Sequence, residues 1–319
     1  MKIAAFEHNG LPHLGVVRHG TLHKLDTTLS VLEILNLPLA ERNLLEATAG
    51  RRFRAPLGQV RLLPPIQPRA MRDFLTFEAH ISGMKKGFDG DGSVPEAWAE
   101  APGFMFMNPW SLTGSGTEIP LPPHTGALDF ELEVAAIVGK DARDVSPGDA
   151  TAHIAGYAIL NDWSARDIQQ REMQVGLGPN KGKDFANTLG PWITTSDELE
   201  AHRVGDRLDL TMSVSVNGVK VGSDNLKNMS WSFEEMLSHA SRGALVGAGD
   251  VLATGTCKNG ALSETWSRTG TRAPDPLQAG DVVEMSVEAL GTISNRIGPC
   301  TSPGILVPAA RRTYSEEEL

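Results

Sequence analysis

The sequence predicts a β-rich α+β protein with a small β-rich N-terminal domain. Its 319 residues include 33 glycines and 20 prolines, a turn density that divides the chain into many short elements. Apolar and polar residues alternate with a period of two, most clearly in Asp129-Phe-Glu-Leu-Glu133. Asn-Gly pairs stand between such runs at Asn9-Gly10 and Asn217-Gly218, where type I′ hairpins need them.

Taken in order, residues 2–7, 14–18 and 21–25 form a meander of short strands broken at Asn9-Gly10 and Gly20. Residues 31–45 carry Val31, Leu32, Ile34, Leu35, Leu44 and Leu45 in a helical pattern, which Pro38 divides in two. A strand at 60–63 closes at Pro64-Pro65. The Pro-rich 63–68 is the expected joint between an N-terminal domain, 1–67, and a main domain, 68–308. Arg72 to His80 reads as a turn into a short helix. The stretch 82–103 is rich in Gly, Lys and Asp and reads as a long loop, functional or mobile. Its Asp89-Gly-Asp91-Gly92 is like the opening of a calcium loop but lacks the later Glu. A short strand at 104–107 and a loop at 111–123 follow.

In 129–133 the alternation sends Asp129, Glu131 and Glu133 to one face of a strand, and the strand continues through the apolar run Val134 to Val138. Like charges two residues apart repel, and more so where water is excluded. A solvated edge face and a bound hard cation are both open, since hard cations take oxygen ligands. The apolar continuation favours the cation, with the acids at the mouth of a cavity. A strand at 154–160 ends in Asn161-Asp162, and 163–175 reads as a helix. Asp162, Arg166, Gln169 and Met173 then line one face, as a site-facing stripe or as an exposed helix capped by Asp162. Lys181-Gly-Lys183 opens a loop, and 191–194 is a strand. The hairpin 208–216 and 219–222, an amphipathic helix at 232–242, and strands at 251–254, 282–289 and 292–297 complete the domain. Residues 309–319 form a charged tail.

The formal net charge of −10 argues against nucleic acid or an anionic membrane surface as partner. It leaves room for a small anion, because a cation and a few local Lys or Arg can reverse the field inside one pocket. Two cysteines, Cys257 and Cys300, are too few for a disulfide framework. No signal pattern opens the chain, and no apolar run approaches the ~18 residues of a membrane span. A soluble, cytoplasmic protein is expected. No Walker A, Rossmann, zinc-type or Gly-x-Ser-x-Gly pattern occurs.

Four segments together resemble the fumarylacetoacetate hydrolase family: Arg72-Asp73-Phe74 to His80, Leu128 to Glu133, Asn161-Asp-Trp-Ser-Ala-Arg166-Asp-Ile-Gln169, and Gly182-Lys183-Asp-Phe. The resemblance covers about residues 70–300 and implies a mixed β-sandwich roll, a homodimer and a divalent cation. Mg²⁺ is the expected ion, with Ca²⁺ or Mn²⁺ as alternatives. Its ligands fall on Asp73, Glu131, Glu133 and Asp162, an all-oxygen set that suits a hard cation. Asp129 matches a family position that is not a ligand. His80 corresponds to the catalytic base, with Glu264 or the nearer Glu78 to orient it. Lys183, Arg166 and Gln169 correspond to groups that bind and polarise the substrate. Read alone, His80 could be an ordinary core or surface histidine, Lys183 a solvated lysine and Arg166 the partner of a helix acid such as Asp162. The family's substrate-contacting tyrosines fall on Leu75 and Met173, which implies a less polar pocket.

The implied activity is hydrolysis of a carbon–carbon bond in a small anionic 1,3-diketone or acylpyruvate, as in the catabolism of aromatic compounds. Decarboxylation or keto–enol isomerisation of a 2-oxo acid is the alternative within the fold. A non-catalytic cation-binding β-protein is the alternative outside it. Residues 80–100 are expected to close over the site when a 2-oxo acid binds, bringing His80 toward Glu264 or Glu78.

Overall fold

The run Val134 to Val138 is apolar throughout because its strand, Leu132–Val138, is covered on both faces. Val134, Ala136 and Val138 enter one core with Tyr157, Ile159, Met212, Val214 and Met285. Ala135 and Ile137 enter another with Ile3, Ile34, Met71, Leu160 and Ile193. Each large side chain so buried contributes about 1.5–3 kcal/mol, so packing on both sides fixes the strand's register.

The computed structural model describes residues 1–88, 92–302 and 304–307 and sets this strand inside a twelve-stranded sheet. Its neighbours are Ile154–Asp162 on one side and Val251–Ala253 on the other, both antiparallel. Beyond Val251–Ala253 lies Met71–Phe74, in parallel register, and then Phe104–Met107 at the edge. A five-stranded sheet built on Thr211–Val216, Val219–Asn225, Val282–Val287 and Gly291–Gly298 closes the first core. The helices Val31–Leu35 and Leu39–Thr48, separated at Pro38 as expected, lie over the second. The fold is the β-rich, mixed sandwich roll expected of the sequence. The N-terminal meander joins the large sheet through Lys2 and Ile3 against Thr194 and Ile193. That sheet therefore runs unbroken past the Pro-rich joint at 63–68.

The hairpin turn has Asn217 at φ 51° and Gly218 at φ 79°, both left-handed as type I′ requires. Helix Phe233–Ser241 starts at a Ser232–Glu235 capping box. Two expectations are corrected. The turn expected at Arg72 is the strand Met71–Phe74, and the helix begins only at Glu78. The loop expected at 82–103 is largely helical, as Glu78–Phe88 and Glu96–Glu100. Its anchors are the buried Phe77 and Ile81, and the first helix packs on helix Leu262–Thr269. Glycine and lysine content obscured those anchors. Asp89 to Asp91 of the calcium-like segment, and the tail 309–319, lie outside the described residues. No helix among the described residues is long and apolar enough to cross a membrane.

Candidate active site

Three strands of the large sheet bring four carboxylates to one end, two of them neighbours and the third, Met71–Phe74, set one strand further on beyond Val251–Ala253. Glu131 and Glu133 lie at the start of Leu132–Val138, Asp162 ends Ile154–Asp162, and Asp73 pairs in register with Ala253. One oxygen from each of Asp73, Glu131, Glu133 and Asp162 lies within 4.8 Å of the others. Glu131, Glu133 and Asp162 are buried, so the solvated-edge alternative is excluded. Asp129 does not join them. The strand breaks after Asp129, whose side chain turns to the N-terminus of helix Leu262–Thr269.

The acids are unequally compensated. Lys183 Nζ donates to Glu131 Oε2, to Asp162 Oδ2 and to Ser164 Oγ at 3.0 Å. Arg166 Nη1 reaches Glu131 Oε1 at 2.8 Å, while its Nε donates to Asp129 Oδ2 at 2.8 Å. Burial pushes the Glu131 carboxyl up, but Lys183 and then Arg166 overcome this and hold it well below the usual range. Among the described residues, neither Asp73 nor Glu133 forms such an ion pair, and Lys183 acts on them only from a distance. Burial first, then Asp162 for Asp73 and Asp73 for Glu133, raise both carboxyls well above their ordinary values. Asp162 is pushed up to about 6, chiefly by burial, against the pull of Lys183.

Asp73 Oδ1 and Glu133 Oε1 are buried with no hydrogen-bond partner among the described residues. Leaving such oxygens unpaired costs several kcal/mol unless a cation or proton meets them. With four carboxylates and no thiolate or imidazole, the donor set fits a hard divalent cation. The chain could hold that ion through Asp73, Glu131, Glu133 and Asp162.

His80 stands on helix Glu78–Phe88, buried, with Nδ1 3.1 Å from Glu264 Oε2. Glu264 is itself fixed. Its Oε2 accepts from Asn259 N at 2.7 Å and its Oε1 from Arg268 Nη1 at 2.6 Å. Of the two acids considered for His80, Glu264 makes the contact, and Glu78 is exposed. The pair stands within the fold as described, so closure of 80–100 is not needed to form it. Gly83 makes room, since a Cβ there would come 2.7 Å from Glu264 Cγ.

Asp162 belongs to the strand, so the expected helical stripe reduces to Arg166 and Gln169, in contact at 3.0 Å. Arg166 pairs with Asp129 and Glu131 rather than Asp162. Met173 and Leu75 are exposed. Sequence reasoning missed Ser164, Asn259, Arg268 and Gly255. Of these, Arg268 carried a signal, four residues after Glu264 on a helix, and Ser164 lies within the Asn161–Gln169 segment. Gly255 N donates to Glu133 Oε2 at 3.1 Å, with φ at +79° and the site of a Cβ only 2.1 Å from Phe74 O. Gly255→Ala should therefore destabilise the protein by about 2–4 kcal/mol. A thermal melt within a degree of wild type would contradict this.

Beside Lys183 lies a cavity of about 410 Å³ whose lining includes Met105, Phe106, Met107, Asn108 and Pro179. Comparison with known proteins fits this geometry. The family described as "Fumarylacetoacetate (FAA) hydrolase C-terminal" matches residues 69–298, which hold every residue of the site. The chain belongs to the fumarylacetoacetate hydrolase family. Among curated family members, the 2,4-didehydro-3-deoxy-L-rhamnonate hydrolase of Sphingomonas sp. (strain SKA58) is 34% identical over 191 residues. That alignment spans 59% of this chain and 62% of that enzyme, less than two thirds of its length. Oxaloacetate tautomerase YisK of Bacillus subtilis (strain 168) is 28% identical over 247 residues, 77% of this chain and 76% of that one. The solved fumarylacetoacetate hydrolase from psychrophilic Exiguobacterium antarcticum is 29% identical, with a TM-score of 0.71 over 94% of this chain and 99% of that one. These members of the fumarylacetoacetate hydrolase family are enzymes, hydrolytic or tautomerising.

Proposed function

We propose that the protein is a divalent-cation-dependent hydrolase that cleaves a carbon–carbon bond in an acylpyruvate or related 1,3-diketone. The observation that carries this reading is the buried His80–Glu264 pair held in the same site region as four clustered carboxylates. Glu264 takes the Nδ1 side of the ring, which leaves Nε2 as proton acceptor. Water gives a proton to Nε2 as its oxygen bonds to the ketone carbon remote from the substrate carboxylate. The carbon–carbon bond then breaks, and its electron pair passes into the adjacent carbonyl as the enolate of pyruvate. Return of the proton to the enolate carbon completes one carboxylic acid and pyruvate.

Arg166, Gln169 and Lys183 set positive charge and hydrogen-bond donors around the developing oxyanion and the substrate carboxylate, each donor typically worth a few kcal/mol. A divalent cation, Mg²⁺ or else Ca²⁺ or Mn²⁺ by the ligand chemistry, would supply Lewis acidity toward the oxo-acid oxygens. One side of the cavity beside Lys183, formed by Met105, Phe106, Met107 and Pro179, supports the carbon chain of an acyl substituent, while Asn108, Glu172 and Asp184 keep the rest of its lining polar. Leu75 and Met173, which offer no phenolic donor, support the same choice against fumarylacetoacetate itself.

The likeness to an oxaloacetate tautomerase favours a second reading at the same site, in which a proton leaves and returns without water adding. The experiment offers Mg²⁺-loaded protein acetylpyruvate, longer acylpyruvates and oxaloacetate, and follows diketone ultraviolet absorbance and product mass. Two acids whose masses sum to substrate plus water support hydrolysis. Keto–enol conversion of oxaloacetate, with acylpyruvates left intact, would replace it with tautomerisation.

A further inference from the structure

We infer that Asp129 is a positioning residue that locks both halves of the site to one buried carboxylate. The inference rests on the reading of His80 and Glu264 as the base pair. Asp129 is fully buried, and its hydrogen-bond partners among the described residues are all donors. Oδ1 accepts from Phe130 N at 2.8 Å and Leu262 N at 2.9 Å. Oδ2 accepts from Ser263 N at 3.0 Å and Arg166 Nε at 2.8 Å.

Two of those donors are the first amides of helix Leu262–Thr269, whose own cap position, Ala261, has no side chain to offer. Asp129 therefore caps that helix from a distant strand, with its negative charge at the positive end of the helix dipole. Glu264 lies in the first turn of this helix, directly after the two capped amides. The same carboxylate holds the Arg166 guanidinium that meets Glu131 at 2.8 Å. Among the described residues Asp129 bonds neither to His80 nor to the four clustered carboxylates, yet it links a neighbour of each. Pairing of Asp129 with Ser164 across the short strands Leu128–Asp129 and Ser164–Ala165 sets it next to Arg166.

A role in the fold alone predicts lower stability and nothing else. A positioning role predicts that Glu264 shifts against His80 while the protein remains folded. Asp129→Asn keeps one acceptor oxygen, so its NH2 must face either the Phe130 and Leu262 amides or Ser263 N and Arg166, donor against donor. Asp129→Glu keeps the charge and displaces it by one methylene. Each variant is made with ¹⁵N-labelled histidine and loaded with Mg²⁺. Three readouts are taken: the downfield imidazole N–H resonance of His80, assigned by its loss in His80→Gln; Mg²⁺ affinity by calorimetry; and kcat and KM for acetylpyruvate.

In both variants we expect a cooperative melt, Mg²⁺ affinity within about tenfold of wild type, and loss or clear displacement of the His80 resonance. We expect kcat to fall about 10- to 100-fold with KM within about threefold, the scale on which supporting partners act. An unchanged resonance with kcat within twofold of wild type would assign Asp129 to the fold alone and overturn the inference. Failure of both variants to fold would do the same. The resonance needs no substrate. A protein inert toward acetylpyruvate and longer acylpyruvates whose variants still lose the signal would leave this inference standing and remove the hydrolase reading instead.

Discussion

His80→Gln should lower kcat for acetylpyruvate cleavage by about 10²- to 10⁴-fold, the range general-base catalysis supplies. Glutamine fills much of the imidazole volume and can still donate to Glu264, but it cannot accept a proton from water. The fold should persist, because Glu264 keeps its bonds to Asn259 N and Arg268 Nη1. Mg²⁺ affinity should stay within a few-fold, since the four clustered carboxylates are untouched. Glu264→Gln should cost less, because the ring keeps its place and its Nε2 as proton acceptor. Single-turnover rates with Mg²⁺-loaded protein check both. Activity of His80→Gln within threefold of wild type would remove His80 from the chemistry.

Metal-free protein should lose stability as pH rises from 5 to 8, and a divalent cation should restore it. An acid whose folded-state pKa lies above its unfolded value holds its proton more tightly when folded. Stability then falls as pH climbs from the unfolded value through the folded one. For Asp162 that window runs from 3.8 to about 6. Such a shift corresponds to about 3 kcal/mol over the whole window, of which about 1.4 kcal/mol is lost above pH 5. Burial raises Asp73 and Glu133 in the same direction, which deepens the loss. Glu131 has the opposite sign, its carboxyl being depressed by Lys183 and Arg166 against burial, but its window lies at and below the ordinary carboxylate range. In EDTA the melting temperature should therefore drop by on the order of 5 °C between pH 5 and pH 8. Mg²⁺ at a hundred times its Kd should return about 2.7 kcal/mol at pH 8. Melts at matched ionic strength check this. A metal-free protein more stable at pH 8 than at pH 5 would contradict the account of the cluster.

Much of this site was legible because the chemistry left a pattern in the chain. Glu131 and Glu133 alternate with Phe130 and Leu132 ahead of a wholly apolar run, and acids in that place must meet a cation or distort the sheet. The same periodicity misled at Asp129, because a period of two cannot show that the strand breaks one residue later. Asp73 was expected on a turn, since parallel pairing with Val251–Ala253 depends on residues some 180 positions away. Helix Glu78–Phe88 was hidden by Gly83, Lys85, Lys86 and Gly87, which weaken local propensity. Packing on helix Leu262–Thr269 overrides that weakness, and Gly83 is what allows the close approach to Glu264. Asn259 left no sequence signal, because its contact with Glu264 is through the backbone.

The measurement that tests the central claim most directly is a crystal structure of the protein grown with Mn²⁺, recorded at a wavelength where manganese scatters anomalously. The account predicts one strong peak enclosed by Asp73, Glu131, Glu133 and Asp162, at about 2.0–2.6 Å from a carboxylate oxygen of each. Lys183 should remain in place through Ser164, with its bonds to the acids lengthened as the ion takes their oxygens. A saturated crystal with no anomalous density among these four residues, or with the only peak elsewhere, would contradict it.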